Sequence, residues 1–281
     1  MEQATTVDDC SRPTSRRRLG PVILMNLWVY PTLFLLTVSG IAVSPLLYVI
    51  WKVTTRWPTE RIIRDFIWIY GRFWMLLVSP FVTFERKGFD RAYRENTPCI
   101  YVINHLSFFD TYCMAMQPVS NIAFAVRAWP FRRLFWYTAF MKLARYLDTE
   151  DDNFTQMLQE AQEITARGGS ILFFPEGHRS RDGRLQRFYS GAFRMARELN
   201  LPIVPLCIVG TDILLPPGTL VMHPASVALH ALPMVNPADF PGPEGHLEMR
   251  RTVKKMMAEE IAKMRRSGGS HPGQSCLREL P

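Results

Sequence analysis

From Pro21 to Trp51 the chain runs for about thirty residues without one charged side chain, "PVILMNLWVYPTLFLLTVSGIAVSPLLYVIW". A helix needs roughly 20 apolar residues to cross a bilayer core, so this run can cross once with tilt, or enter and turn back at Pro31, Gly40 or Pro45. It is too long to be only the core of a secretory signal, and no clear small-residue cleavage site follows it, so a retained anchor is expected. Arg16, Arg17 and Arg18 precede the run, and Lys52, Arg56, Arg61 and Arg64 follow it. Cytoplasmic flanks gather Lys and Arg, so the pattern predicts a re-entrant helical hairpin or a close pair of spans rather than one crossing. Both ends are then expected at the cytoplasmic face of the inner (plasma) membrane. A second apolar stretch, 66–84, is rich in aromatic residues and carries only Arg72. It reads either as an interfacial helix or as a core helix of the domain that follows.

A net charge of +8 predicts attraction to something anionic: nucleic acid, a membrane surface or a phosphorylated substrate. The apolar run favours the bilayer as partner, and no nucleic-acid partner is expected. The cysteines, Cys10, Cys99, Cys113, Cys207 and Cys276, are odd in number, scattered and without a CxxC pair, so neither a disulfide framework nor a zinc site is expected. A reducing, cytosol-facing compartment fits that usage. Short apolar runs bounded by turn residues at 98–103, 122–126, 170–174 and 202–210 read as strands buried on both faces. Helices are expected at 152–167, where Phe154, Met157, Leu158, Ala161 and Ile164 share a face and Gly168-Gly169 stops the turn, and at 246–265. The fold class is therefore α/β, a mixed, mostly parallel sheet flanked by helices, with an N-terminal hydrophobic helical membrane anchor. The expected organisation is a basic segment at 1–20, an anchoring helical region at 21–84, one domain at 85–265 and a loose tail at 266–281.

Within that domain "NHLSFFD" (104–110) places His105 and Asp110 directly after an expected strand, where open α/β sheets gather their sites. A neutral imidazole accepts a proton near neutral pH, and a carboxylate on its other nitrogen fixes the tautomer and stabilises the imidazolium. The alternative is that Asp110 caps the next helix while His105 only satisfies a loop. About seventy residues on, "FPEGHRSRDGRLQRF" (174–188) sets Glu176, Gly177 and Arg179 in a turn and adds Arg181, Arg184 and Arg187. Arginine forks bind phosphate oxygens, so the turn suits a phosphate-bearing substrate, whereas the arginines after Ser180 read as a solvated loop. "LPIVPL" (201–206) is a strand interrupted by two prolines, which excludes a regular central ladder and predicts a shaped wall beside a ligand.

In this order and spacing, over roughly residues 80–235, these stretches resemble the membrane-associated glycerolipid acyltransferases, the 1-acyl-sn-glycerol-3-phosphate acyltransferase-like family. "NHLSFFD" matches the family's NHxxxxD signature, "FPEGHRS" its FPEGTRS signature and "LPIVPL" its proline-containing block. The resemblance implies an O-acyltransferase of phospholipid biosynthesis, moving a fatty acyl group from acyl-CoA or acyl-carrier protein to a lysophospholipid hydroxyl. It makes His105 the general base and Asp110 its partner. It puts Asn104, Glu176, Gly177 and Arg179 around the acceptor, and Arg127 where the family has a lysine. Neither a metal nor a resident cofactor is implied, the acyl donor being a co-substrate.

The chemistry agrees, because a thioester is an activated acyl donor and a lipid hydroxyl needs a base to become a nucleophile. Three departures bear on the acceptor. Thr149 stands where lysophosphatidic acid users carry an arginine, His178 where threonine is usual, and Ser190 in place of a lysine. These leave open another lyso-lipid, such as a lyso-aminolipid. A lipid hydrolase or transacylase with Ser107 as nucleophile is the other enzymatic reading, although Ser107 lacks a G-x-S-x-G elbow. A non-catalytic protein with a basic face for anionic lipid would leave the coincidence of signatures unexplained.

Overall fold

The computed structural model describes residues 19–89, 98–126, 135–149 and 153–267. Seven strands form one sheet: β1 (Val82–Lys87), β2 (Ile100–Ile103), β3 (Ile122–Val126), β4 (Leu147–Asp148), β5 (Ser170–Phe173), β6 (Ile203–Val209) and β7 (Ala225–Ala231). Their order is β1-β7-β6-β2-β5-β3-β4, and every neighbouring pair is parallel except β6 with β7. The sheet is thus α/β, mixed and mostly parallel, as its apolar runs predict. All four residues of β2 and of β5 are buried, which is why these strands read as unbroken apolar runs.

Pro205 lies in a strand inside the sheet, β6 between β2 and β7, and the ladder there is irregular, as its prolines predict. The irregularity is local. The antiparallel pairing with β7 stops at Leu206↔Ala231 and resumes only at an isolated bridge, Ile203↔Val235. Over that gap β6 covers three positions and its partner four, so the partner bulges and demands no N–H from Pro205, whose carbonyl still accepts from Leu232 N at 2.9 Å.

The helices are α1 (Leu19–Thr55), α2 (Thr59–Val78), α3 (Asp110–Cys113), α4 (Phe135–Leu143), α5 (Phe154–Ala166), α6 (Gly191–Glu198), α7 (Thr211–Leu214) and α8 (Gly245–Ser267). Asn153 caps α5, its side chain accepting from Gln156 N at 3.1 Å, and α8 buries Met249, Val253, Met257 and Ile261 at helical spacing. The turn expected within 21–51 does not form. α1 runs unbroken through Pro31, Gly40 and Pro45, about 55 Å at 1.5 Å per residue. Pro45 cannot bond the Ile41 carbonyl one turn back, but Ser44 Oγ donates to that same oxygen at 3.0 Å, which relieves the break. The chain turns back at 56–58 instead, and α2 packs along α1. Trp28 Nε1 donates to Leu77 O at 3.0 Å, and Thr37 and Tyr48 hydroxyls pair with those of Tyr70 and Thr59 at 2.8 and 2.9 Å.

The stretch 66–84 is in part a core helix, one of its two readings, and in part a strand, which neither reading had. Its helical part, to Val78, belongs to α2 and packs inward, with Gly71, Trp74, Met75 and Val78 buried, whereas 82–84 begin β1, three residues before the boundary expected at 85. Arg64 locks α2 to the domain: Nε donates to Ala144 O at 2.8 Å and Nη1 to Asn121 Oδ1 at 3.0 Å. Burial pulls its guanidinium down to about 10, which leaves it charged at neutral pH.

Gly210 follows β6 with φ +89°, and a Cβ there would lie 1.9 Å from Ser226 O. Gly168 has φ +75° but open space around it. Gly168→Ala should therefore cost about 1 kcal/mol, the penalty of a left-handed residue. Gly210→Ala should cost about 3 kcal/mol or more, because the backbone must also move. Thermal unfolding of the two variants in detergent is the check, and equal shifts in Tm would refute the contact argument.

Candidate active site

Adjacent parallel strands set up the site. Val102 of β2 lies opposite Phe173 of β5, so the loops beginning at Asn104 and Phe174 leave the sheet side by side at its carboxyl edge. The first loop is organised by Asp110, the first residue of α3, which is fully buried. Its Oδ2 accepts from Leu106 N at 2.6 Å, Ser107 N at 2.9 Å and His105 Nδ1 at 2.8 Å. The capping alternative is not what forms, since the N-cap of α3 is Phe109 and Asp110 bonds amides that precede the helix, ordering the turn while it bonds the imidazole. A carboxylate oxygen already taking two amides is an acceptor, so Nδ1 is the donor toward it, and the neutral imidazole of that tautomer presents a lone pair at Nε2. The His105 side chain is 18% exposed, its ring lies against Phe174 with centroids 4.2 Å apart, and Nε2 has no hydrogen-bond partner among the described residues.

The second loop holds the first in place. Glu176 Oε1 accepts from His105 N and Oε2 from Gln186 N, each at 2.8 Å, while Ser180 N donates to His105 O at 2.8 Å. Glu176 is 1% exposed, so the contact expected between this carboxylate and an acceptor is not made from here: both oxygens are spent on backbone amides. Burial pushes its carboxyl up, against the pull of the His105 and Gln186 N–H groups. Asn104 is corrected in the same way. It is buried, with Nδ2 donating to Ile208 O at 2.9 Å and Oδ1 accepting from Ile208 N at 2.8 Å, so it splices the end of β2 to β6.

Gly177 has φ +70°, and a Cβ there would press on the Tyr189 ring at 3.0 Å, so glycine allows the turn beneath that ring. Arg179 is exposed on this loop, as are Arg181, Arg184 and Arg187. Arg127 lies outside the described residues. Ser107 Oγ is turned away from the imidazole and donates to Leu215 O at 2.7 Å in a fully buried position, which does not suit a nucleophile. An apolar groove of about 630 Å³ between α2 and β1, lined by Trp68, Phe73, Leu76 and Phe84, includes neither His105 nor the loop at 174–190.

The sequence pattern missed the parts played by main-chain atoms of His105, Ser180 and Gln186, which no side-chain type announces. Phe174, the ring beneath His105, could have been found from its place at the carboxyl end of the strand expected at 170–174.

Glu176→Gln keeps the shape but replaces one acceptor oxygen by an amide that meets an N–H. The expected outcome is a loss of about 2 kcal/mol in thermal unfolding and a fall in kcat with KM for both substrates little changed. A selective rise in the acceptor's KM would restore a direct contact.

Comparison with known proteins bears on this geometry. Residues 83–209 match the family model described as Acyltransferase. The chloroplastic 1-acyl-sn-glycerol-3-phosphate acyltransferase of Brassica napus is 30% identical over 57% of this chain and 47% of its own length. The Escherichia coli enzyme of the same name is 26% identical over 59% of this chain and 67% of its own length. The chain spans about half the length of the plant relatives it matches. The crystal structure of the 1-acyl-sn-glycerophosphate acyltransferase from Thermotoga maritima has the same fold, with a TM-score of 0.68 at 23% identity, covering 89% of this chain and 98% of that one. Residues 83–209 thus match the acyltransferase family model, and the relatives and the solved structure that the chain resembles are 1-acyl-sn-glycerol-3-phosphate and 1-acyl-sn-glycerophosphate acyltransferases.

Proposed function

We propose that this chain transfers a fatty acyl group from a thioester donor, acyl-CoA or acyl-carrier protein, to the free hydroxyl of a lysophospholipid. The observation that carries the reading is the His105–Asp110 pair, 2.8 Å apart, with Nε2 unengaged among the described residues. In the proposed reaction Nε2 takes the acceptor's hydroxyl proton as its oxygen attacks the acyl carbon, and Asp110 stabilises the imidazolium. Collapse of the tetrahedral intermediate forms the ester, breaks the C–S bond, and releases a thiolate that can recover the proton from His105. Exposed Arg179 supplies a positive charge for the acceptor's phosphate.

The acceptor is read as 1-acyl-sn-glycerol-3-phosphate, in phospholipid biosynthesis. The relatives named 1-acyl-sn-glycerol-3-phosphate acyltransferases support that choice. Thr149, beyond the end of β4, is the position that would admit another headgroup.

His105→Ala should lower kcat at least a thousandfold with folding and membrane association intact, and Asp110→Asn should be severely slowed, because an amide can hold the wrong tautomer. Arg179→Ala should raise the lyso-lipid's KM about tenfold and the donor's much less. The assay is labelled acyl-CoA with a panel of lyso-lipids. More than a few per cent of activity in His105→Ala would remove the general base from this reading.

The membrane placement belongs to the same proposal. α1 has a mean hydropathy of 2.2 over its most apolar 18 residues, with none of that window buried in the protein. It is bonded sideways to α2 at Trp28, Thr37 and Tyr48, and α2 in turn is bonded to the domain. Those links favour α1 lying with the domain against one leaflet, at the cytoplasmic face, over an upright crossing. Single cysteines at Ser15 and Lys87, labelled with an impermeant thiol reagent on oriented vesicles, should react from the same side. Labelling from opposite sides would establish a crossing.

A further inference from the structure

The segment joining α7 to β7, residues 215–224, is uncharged and presents two apolar side chains to the outside: Leu220 is 79% exposed and Val221 47%. The segment is nonetheless fixed in place. Asn26 of α1 grips Met222 from both sides, Nδ2 donating to its carbonyl at 2.8 Å and Oδ1 accepting from its amide at 2.9 Å. Tyr30, one turn further along α1, donates its hydroxyl to Leu220 O. Inside the segment Thr219 N donates to Pro216 O at 3.2 Å, His223 N donates to Leu214 O at 2.8 Å, and the Met222 side chain is buried.

We propose that this segment is a second membrane contact, with Leu220 and Val221 entering the leaflet that holds α1 and forming the lipid-facing lip of the His105 site. The proposal rests on the membrane placement above. Three observations choose a lipid leaflet as the occupant. The first is continuity: Ile23, Tyr30 and Phe34 lie on one stripe of α1, at i, i+7 and i+11, and Ile23 and Phe34 are 57% and 67% exposed. The loop held by Tyr30 therefore extends that apolar stripe sideways. The second is anchorage, which sets the loop at the interface and not in the hydrocarbon core: Asn26, Tyr30 and the turn itself bond the carbonyls of Leu214, Pro216, Leu220 and Met222 and the amides of Thr219, Met222 and His223, while the amides of Leu220 and Val221 have no partner among the described residues and need the water of the headgroup layer. The third is connection to the chemistry. Leu215 O accepts from Ser107 Oγ at 2.7 Å, and Ser107 N bonds the carboxylate that holds His105, so Leu215, at the foot of the lip, and His105 are three hydrogen bonds apart. A lyso-lipid, its chain in the leaflet and its hydroxyl at the interface, meets the base at this edge without leaving the membrane.

The test uses the full chain in phosphatidylcholine–phosphatidylglycerol vesicles, with Cys10 and Cys276 replaced by Ser and the buried Cys99, Cys113 and Cys207 kept. Nitroxide labels go on Leu220→Cys, Val221→Cys and, as a water-facing reference, Glu259→Cys on α8. The labels at 220 and 221 should collide with dissolved oxygen in preference to a water-soluble nickel chelate, and the label at 259 should show the reverse. A water-like profile at 220 and 221 overturns the proposal. So does shielding from both reagents, which would mean that a protein surface or a second copy covers the loop. Neither reading involves turnover, so it stands or falls separately from the acyl-transfer assignment. In a paired kinetic arm, Leu220→Asp/Val221→Asp should raise the KM for a long-chain lyso-lipid in vesicles at least tenfold and leave that for a short-chain, water-soluble acceptor within twofold. Equal loss on both acceptors overturns the lip.

Discussion

The site depends on two buried carboxylates that bond main-chain amides. Glu176 ties the amide of His105 to that of Gln186, and Asp110 ties Leu106, Ser107 and the imidazole to a single oxygen. Charge-assisted bonds of this kind are stronger than neutral ones, and their removal leaves buried N–H groups without partners. The loops after β2 and β5 have little regular structure of their own, so these two side chains substitute for it. His105 is therefore positioned through its own backbone, whose amide and carbonyl are both bonded by the neighbouring loop.

Such an arrangement explains why residues that fall together in a motif need not act together on a substrate. Asn104 and Glu176 flank the chemistry in the sequence yet face inward, where they join β2 to β6 and one loop to the next. His105 and Arg179 keep exposed atoms and are the members of the two motifs positioned to meet a ligand. A motif identifies residue types at fixed spacing; which way each one points depends on partners that lie far away in the chain.

That distinction marks how much could be read from the sequence. Strands β2, β3, β5 and β6 were legible because burial on both faces demands unbroken apolar residues. β1, with Glu85, Arg86 and Lys87 in an edge position, and β7, with exposed Ser226 and a histidine at 230, gave no such run, and β4 is too short to leave a pattern. The helices α5 and α8 followed from periodicity to within two residues. The hairpin within 21–51 was misplaced because proline and glycine ordinarily end a helix, whereas here a neighbouring hydroxyl takes over a carbonyl that Pro45 leaves free. His105 and Asp110 were legible as a pair, but the Glu176 clamp was not, since its partners are backbone atoms common to every residue.

α1 is apolar on every side, so hydrophobicity alone gives it no preferred rotation about its own axis. Its polar contacts with the rest of the chain include Asn26, Thr37 and Tyr48, each eleven residues after the last. Eleven residues make three turns at nearly 3.7 residues per turn, which brings the three onto one slowly drifting stripe. Burying an unpaired amide or hydroxyl in hydrocarbon costs on the order of a few kcal/mol, so any other azimuth, or a slip of one turn, would take from all three their partners outside α1 and leave Asn26 and Thr37 only the carbonyls of Val22 and Leu33 in their own helix. The greasiest element of the protein is thus indexed in both rotation and height by three polar side chains, like a shaft located by keys.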